Sequence, residues 1–212
     1  MATVSTPGRP RRICVFPEGI SAVTLEGKKV QFIKVGQGAL TLDRVLQFDK
    51  EIYGIASLNN ILILSFYNPC GIEMMTLEGK VICSVDNEKA GRQDFHNPVY
   101  LTNYKDGHIF ASDCDVNTVT KLDSRLNVIR TYTDPSLQSP SGIISISRDQ
   151  LLVCSCHNHR IVLLNTRTGN TTVLLGKQDG ISWPYAMSYC HTQRKLFVVL
   201  GLLSKIQAYK FV

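Results

Sequence analysis

The chain has 212 residues, 44% of them hydrophobic and 19% charged, with a formal net charge of +6. At ~100–200 residues per domain this is one domain or two small ones. The apolar fraction excludes global disorder, and no apolar run approaches the ~18 residues that span a bilayer.

Residues 1–11 are polar and basic, with no apolar signal core, and read as a disordered basic tail. The seven cysteines are odd in number, scattered and without a Cys-x-x-Cys pair, as expected of reduced thiols in a cytoplasmic protein. Residues 12–212 form the folded part. Its first piece, 12–50, supplies three predicted strands: Arg12–Phe16, Ile20–Leu25 and Lys29–Val35. The next unit, 51–97, opens on Tyr53-Gly54-Ile55, continues through the apolar run Asn60–Ser65 and turns at Thr76–Lys80. The unit 98–139 repeats the order with Tyr100-Leu101, His108–Asp113 and the turn Leu122–Arg125. The unit 140–183 does so with Ser141-Gly142-Ile143, Gln150–Ser155 and the turn Leu164–Gly169. A last piece, 184–212, has Tyr185-Ala186-Met187, Lys195–Leu200 and a closing strand from Lys205 to Val212.

The steps from Leu25 to Leu77, Leu122 and Leu164 are 52, 45 and 42 residues, a period that means a repeat architecture. Each unit reads as four short strands rich in β-branched and aromatic residues, and no stretch keeps a 3.6-residue period over three turns. Gly54, Gly142 and Ala186 open the inner strands, where small residues suit crowding around an axis. The expectation is an all-β chain of four-stranded blades, a β-propeller. The count gives eighteen strands, about 4.5–5 blades, which is not a whole number of blades.

The segment Pro140–Asn165 resembles an NHL repeat, with its Gly-Ile start at Gly142-Ile143 and its signature at Asn158-His159-Arg160-Ile161. The family's second-strand aspartate is present as Asp113 and replaced by Ser65, Ser155 and Leu200 in the other units. The signature decays to Val116-Asn117-Thr118-Val119 before it and Leu203-Ser204-Lys205-Ile206 after it. The resemblance covers roughly Arg12 to the end and is nearest the TRIM–NHL and NHL-only proteins. It implies a six-blade parent, hence either an incomplete ring open to self-association through its blade ends or a strained five-blade ring with one irregular blade. It also implies a non-enzymatic recognition module for single-stranded RNA or a protein partner, the substrate-recognition part of a ubiquitination-related protein. No RING-type ligand set occurs in this chain.

Candidate chemistry is sparse. His157 and His159 could share a strand face and ligate a metal, with Cys154 and Cys156 nearby. The plainer reading makes Asn158 the turn residue and His159 a partly buried group with a packing and hydrogen-bonding role, so that His159→Asp would bury an uncompensated charge. No metal and no cofactor are expected. No nucleophile elbow, phosphate loop or HExxH is present. The alternative class is an NHL-type metal-dependent lyase or hydrolase, but His96, His108, His157, His159 and His191 fall at different offsets in their units. The stronger candidate is one loop face, formed by loops before the inner strands and loops between second and third strands. It would gather Tyr53, Tyr67, Asn68, His96, Asn117, His157, Asn158, Arg160, Trp183, Tyr185 and Lys205. Such a mixture of amides, aromatics and cations can stack bases, read their edges and offset phosphates.

Overall fold

The computed structural model describes residues 2–86, 95–201 and 205–210. The chain divides into two compact units, 1–101 and 102–212. Unit 1 begins with the sheet β1 (Pro10–Phe16), β2 (Ile20–Leu25), β3 (Lys29–Val35) and β4 (Leu40–Gln47), paired in chain order. The second sheet is β5 (Ile52–Leu58), β6 (Ile61–Phe66), β7 (Gly71–Thr76) and β8 (Val81–Asp86). The unit border falls in β9 (Pro98–Asn103), whose sheet continues with β10 (Ile109–Asp113), β11 (Thr118–Leu122) and β12 (Val128–Thr133). Unit 2 goes on with β13 (Pro140–Ser147), β14 (Gln150–Ser155), β15 (Arg160–Asn165) and β16 (Thr171–Leu175). Its last sheet is β17 (Pro184–Cys190), β18 (Lys195–Leu200) and β19 (Lys205–Lys210), three strands among the described residues. Helix is limited to two 3₁₀ turns, Pro17–Gly19 and Lys177–Asp179, and no helix is long and apolar enough to cross a membrane.

The all-β expectation holds, and two details are corrected. The first strand starts at Pro10, two residues before Arg12. The first sheet also has a fourth strand, β4, so the described strands number nineteen rather than eighteen. The pairing of β3 with β4 shifts register between Gln31 and Ile33. The buried Gln31 amide donates to the carbonyls of Asp43 (3.4 Å) and Arg44 (3.2 Å) at that irregularity. A bulge of this kind breaks the strict alternation by which a strand is recognised. The segment before β1 lays Val4 on Val23, Leu25 and Ile33, and Glu26 N–H donates to Arg9 O. The expected Leu203-Ser204 and the end of the closing strand, 211–212, lie outside the described residues.

Alternation builds the cores. In unit 1, Cys14, Phe16, Ala22, Val30 and Phe32 of the first sheet meet Ile55, Leu62, Leu64, Phe66 and Met75 of the second. The Phe16 and Phe32 rings lie 6.3 Å apart. In unit 2, Leu152, Cys154 and Ile161 meet Leu196, Val198 and Leu200. Burial pushes the Cys14 thiol up to about 12 and raises Cys154 as well, which leaves both protonated packing groups.

Two glycines mark where inner strands crowd. A Cβ on Gly142 would stand 2.8 Å from the Ala186 Cα and 3.0 Å from the Tyr185 carbonyl oxygen. One on Gly54 would stand 2.5 Å from the Ser65 hydroxyl. That hydroxyl is fixed, because it accepts from Gly54 N–H (2.7 Å) and donates to the Pro98 carbonyl (2.6 Å). In unit 2 the Ser112 hydroxyl makes the same outward bond to the Ser141 carbonyl, 2.7 Å. Pairing also corrects one equivalence: Asp113, Ser155 and Leu200 each face the first residue of the following strand, and in the second sheet Phe66, not Ser65, holds that place.

Candidate binding loops

In unit 1 the structure places Tyr67, Asn68 and His96 in neighbouring loops, whereas Tyr53, expected in a loop, lies within a strand. Tyr53, on β5, meets Tyr67 with ring centroids 5.3 Å apart, and Tyr67 N–H donates to Glu51 O. Tyr67 and Asn68 are exposed, whereas His96 is half-buried. The turn joins the adjoining segment through Cys70, whose thiol donates to the His96 carbonyl at 2.8 Å.

Unit 2 repeats this junction twice with different chemistry. Asn117 has φ 57° and His159 has φ 55°, both left-handed, at matching places directly before the third strand. Asn117 Oδ1 accepts from Ser139 N–H at 2.6 Å, and His159 Nδ1 accepts from Trp183 N–H at 3.1 Å. In each case the turn side chain satisfies the amide directly before the proline that opens the next inner strand, Pro140 or Pro184. Asn158 lies in the turn as expected, and within that turn the left-handed conformation falls to His159. The Asn158 amide instead donates to Pro135 O (3.1 Å) and Ser136 O (3.4 Å).

Trp183 sits edge-on to both histidines, 5.4 Å from the His157 ring and 5.0 Å from His159. Withdrawal from water, then the charges of Lys177 and His157, hold His159 below its ordinary value of 6.5. A neutral imidazole is also what a Nδ1 acceptor requires. Among the described residues no group of three or more His, Cys, Asp or Glu is placed to hold a metal ion.

Arg160 and Lys205 begin the third strands of adjacent sheets, opposite Ser155 and Leu200, and both are exposed. Tyr185 is exposed on β17, beside Trp183. The other half of this region is not marked in the sequence by any motif. A cavity of about 440 Å³ is lined by Asn158, Arg160, Val173, Gly176, Lys177 and Gln178. Its Lys177-Gln178 rim is shaped by the 3₁₀ turn, where Gly176 N–H donates to Asp179 Oδ2 at 2.9 Å and Gly180 closes the turn with φ 82°. Neither Arg160 nor Lys177 makes an ion pair among the described residues. The Gly176-to-Gly180 loop is visible in the sequence, but its return towards Asn158 and Arg160 depends on where β16 ends.

No family model matches the chain, and no curated protein matches it. Solved structures do. A functionally unknown protein from Desulfotomaculum acetoxidans superposes with a TM-score of 0.70 at 12% identity, covering 98% of this chain and 71% of that one. A catalytically inactive virginiamycin B lyase from Staphylococcus aureus, with quinupristin, gives 0.68 at 15% identity, covering 97% and 71%. The selenomethionine form of that lyase gives 0.68 at 16%, covering 98% and 72%. Identities this low carry the fold alone, and the fold they carry is that of a β-propeller, whose blades are the five sheets described above.

Proposed function

We propose that this chain is a non-enzymatic recognition module, an NHL-type propeller that binds single-stranded RNA through the loops of unit 2. The observation that carries the reading is the cavity rimmed by Arg160 and Lys177, two cations without ion-pair partners among the described residues, with the Asn158 and Gln178 amides beside them. Phosphates suit such a rim, and the exposed Tyr185 offers a ring for a base to stack on. Lys205, at the repeat position of Arg160, extends the cationic row. The Asn158-His159-Arg160-Ile161 signature supports the NHL-type reading and, with it, a role as the recognition end of a TRIM–NHL-like protein. Seven scattered cysteines, with no Cys-x-x-Cys pair, suit the reducing cytoplasm.

Binding of a uridine-rich RNA 10-mer across a salt series tests this. Affinity should fall by roughly 0.7 log units per phosphate contact for each tenfold rise in salt. Arg160→Glu with Lys177→Glu should lower affinity at least tenfold and flatten that slope, with an unchanged melting temperature. An unchanged affinity would remove these loops as the site. No RNA binding by either form would leave a protein partner as the ligand.

A further inference from the structure

We infer that the hairpin end of unit 2 is a docking face for an anionic lipid surface. In each sheet of the unit the strands pair in chain order, so the turn from first to second strand and the turn from third to fourth lie at one end. The sheets keep this end in common. Ser112, near the end of β10, donates to the Ser141 carbonyl at the start of β13, and Gly142 of β13 lies against Ala186 near the start of β17. Each of the five such turns among the unit's described residues carries an exposed cation. Lys105 lies between β9 and β10, Arg125 between β11 and β12, and Arg148 between β13 and β14. Arg167 lies between β15 and β16, and Arg194 between β17 and β18, with the exposed Lys195 directly after it. Among the described residues Lys105, Arg125, Arg167, Arg194 and Lys195 make no ion pair, and Arg148 meets Asp106 at 3.6 Å.

In these turns six cations stand against three aspartates, Asp106, Asp123 and Asp149, which leaves an excess of three positive charges. Two of the aspartates hold their own turns. Asp123 accepts from the Arg125 and Asn127 N–H groups at 2.8 Å each, and Asp106 accepts from His108 N–H at 3.2 Å. The Arg130 guanidinium fixes a third turn by donating to Arg167 O (2.9 Å) and Thr168 O (3.0 Å). The layout selects the occupant. Turns of inner and outer strands alternate over three sheets, so the cations form a two-dimensional array rather than one row. Two strand spacings, like one sheet-to-sheet spacing, amount to about 10 Å, close to the Debye length at 0.1 M salt, so the fields of neighbouring cations add. A single nucleic-acid strand tracks a groove and needs rings for its bases. Trp183 and Tyr185 lie at the opposite end of these sheets. A planar bilayer meets all the tips at once, and each Lys or Arg near a negative leaflet raises partition about fivefold. The guanidinium fork also suits headgroup phosphate oxygens. The inference stands apart from the RNA reading, because Arg160 and Lys177 belong to the loops at the other end.

The probe is a vesicle of phosphatidylcholine with phosphatidylserine, set against phosphatidylcholine alone, and the full chain is followed by co-sedimentation across a salt series. The chain should sediment with the anionic vesicles only and be released as salt shortens the Debye length. Arg125→Gln, Arg167→Gln and Arg194→Gln together should lower partition at least tenfold with an unchanged melting temperature, since exposed charges add little stability. Lysine at the same three positions should bind like the parent. Arg160→Gln, Lys177→Gln and Lys205→Gln remove the same charge at the other end and should leave partition within about twofold. No sedimentation with anionic vesicles at low salt, or an equal loss in both glutamine sets, overturns the proposal. Binding of a blunt RNA duplex that the Arg125, Arg167 and Arg194 set loses, with vesicles unbound, would make nucleic acid the occupant and overturn the lipid assignment.

Discussion

His159 shows how a role read from the sequence gains its partner only from the structure. In the sequence it belongs to a signature tripeptide and reads as a packing and hydrogen-bonding group. In the structure it adopts φ 55°, half-buried, and its Nδ1 accepts the Trp183 amide hydrogen. Asn117 does the same work one sheet earlier. His159→Asn should therefore fold with a melting temperature within a few degrees of the parent, since Asn tolerates left-handed φ and offers an acceptor. The cost expected for His159→Asp is also withdrawn: a carboxylate can accept the same N–H and lies near Lys177. His159→Leu, with no acceptor and a poor left-handed former, should lose ~1–3 kcal/mol in denaturant melts. The depressed His159 value gives a pH test. The unfolded chain binds the proton more readily, so stability from neutral His159 is complete above its ordinary value of 6.5. It is lost as pH falls from there through the lower folded value. Melts at pH 7.5 and at about pH 5 should diverge more for the parent than for His159→Asn.

At the scale of the element, neighbouring sheets are tied at their inner strands by glycines and serines. Ser65 is fully buried, and its hydroxyl joins Gly54 N–H to the Pro98 carbonyl within unit 1. Ser65→Ala leaves both groups without that partner and should destabilise by ~1–3 kcal/mol. Gly142→Ala should cost a similar ~1–3 kcal/mol or more, because the new methyl meets the backbone of β17 rather than a movable side chain. Chemical denaturation at fixed pH measures both. If Gly142→Ala melts like the parent, β13 and β17 do not approach as described. These positions were legible as small residues at strand starts. The hydroxyl bridges were not, since Ser65 and Ser112 meet partners 33 and 29 residues further on. The strand β4 was missed for a different reason: its bulge is filled by the side chain of Gln31, which lies on another strand.

At the scale of the whole molecule, strand content and apolar exposure make the predictions. Far-UV circular dichroism should show β-structure with almost no helix. Each unit also leaves apolar side chains open. Ile13 and Val15 of β1 are 63% and 65% exposed in unit 1, and Ile206 of β19 is 67% exposed in unit 2. Exposed apolar patches beyond a few hundred Å² are uncommon on soluble monomers. We expect light scattering to show association that rises with concentration. Ile13→Thr with Val15→Thr should reduce it while leaving the melting temperature nearly unchanged, since these side chains have little burial to lose. Association that persists in the double variant would place the contact elsewhere.

The sequence by itself determined the all-β class, the repeat and the places of most strands, because alternation, turn residues and period are local properties of the chain. It also determined that loops before inner strands and loops after second strands carry the amides, rings and cations. Tertiary structure decided which of those groups are spent on the fold. Asn117 and Asn158 hold backbone groups 22 and 23 residues away in sequence, whereas Arg160 makes no ion pair among the described residues and gains Lys177 as a neighbour. It also decided that Ile146, Leu163 and Leu174 line a cavity together with Tyr209. Local pattern fixes what a segment can form, but the pairing of a hydrogen bond or a charge depends on what the folded chain brings within about 3–4 Å, and residues far apart in sequence supply that.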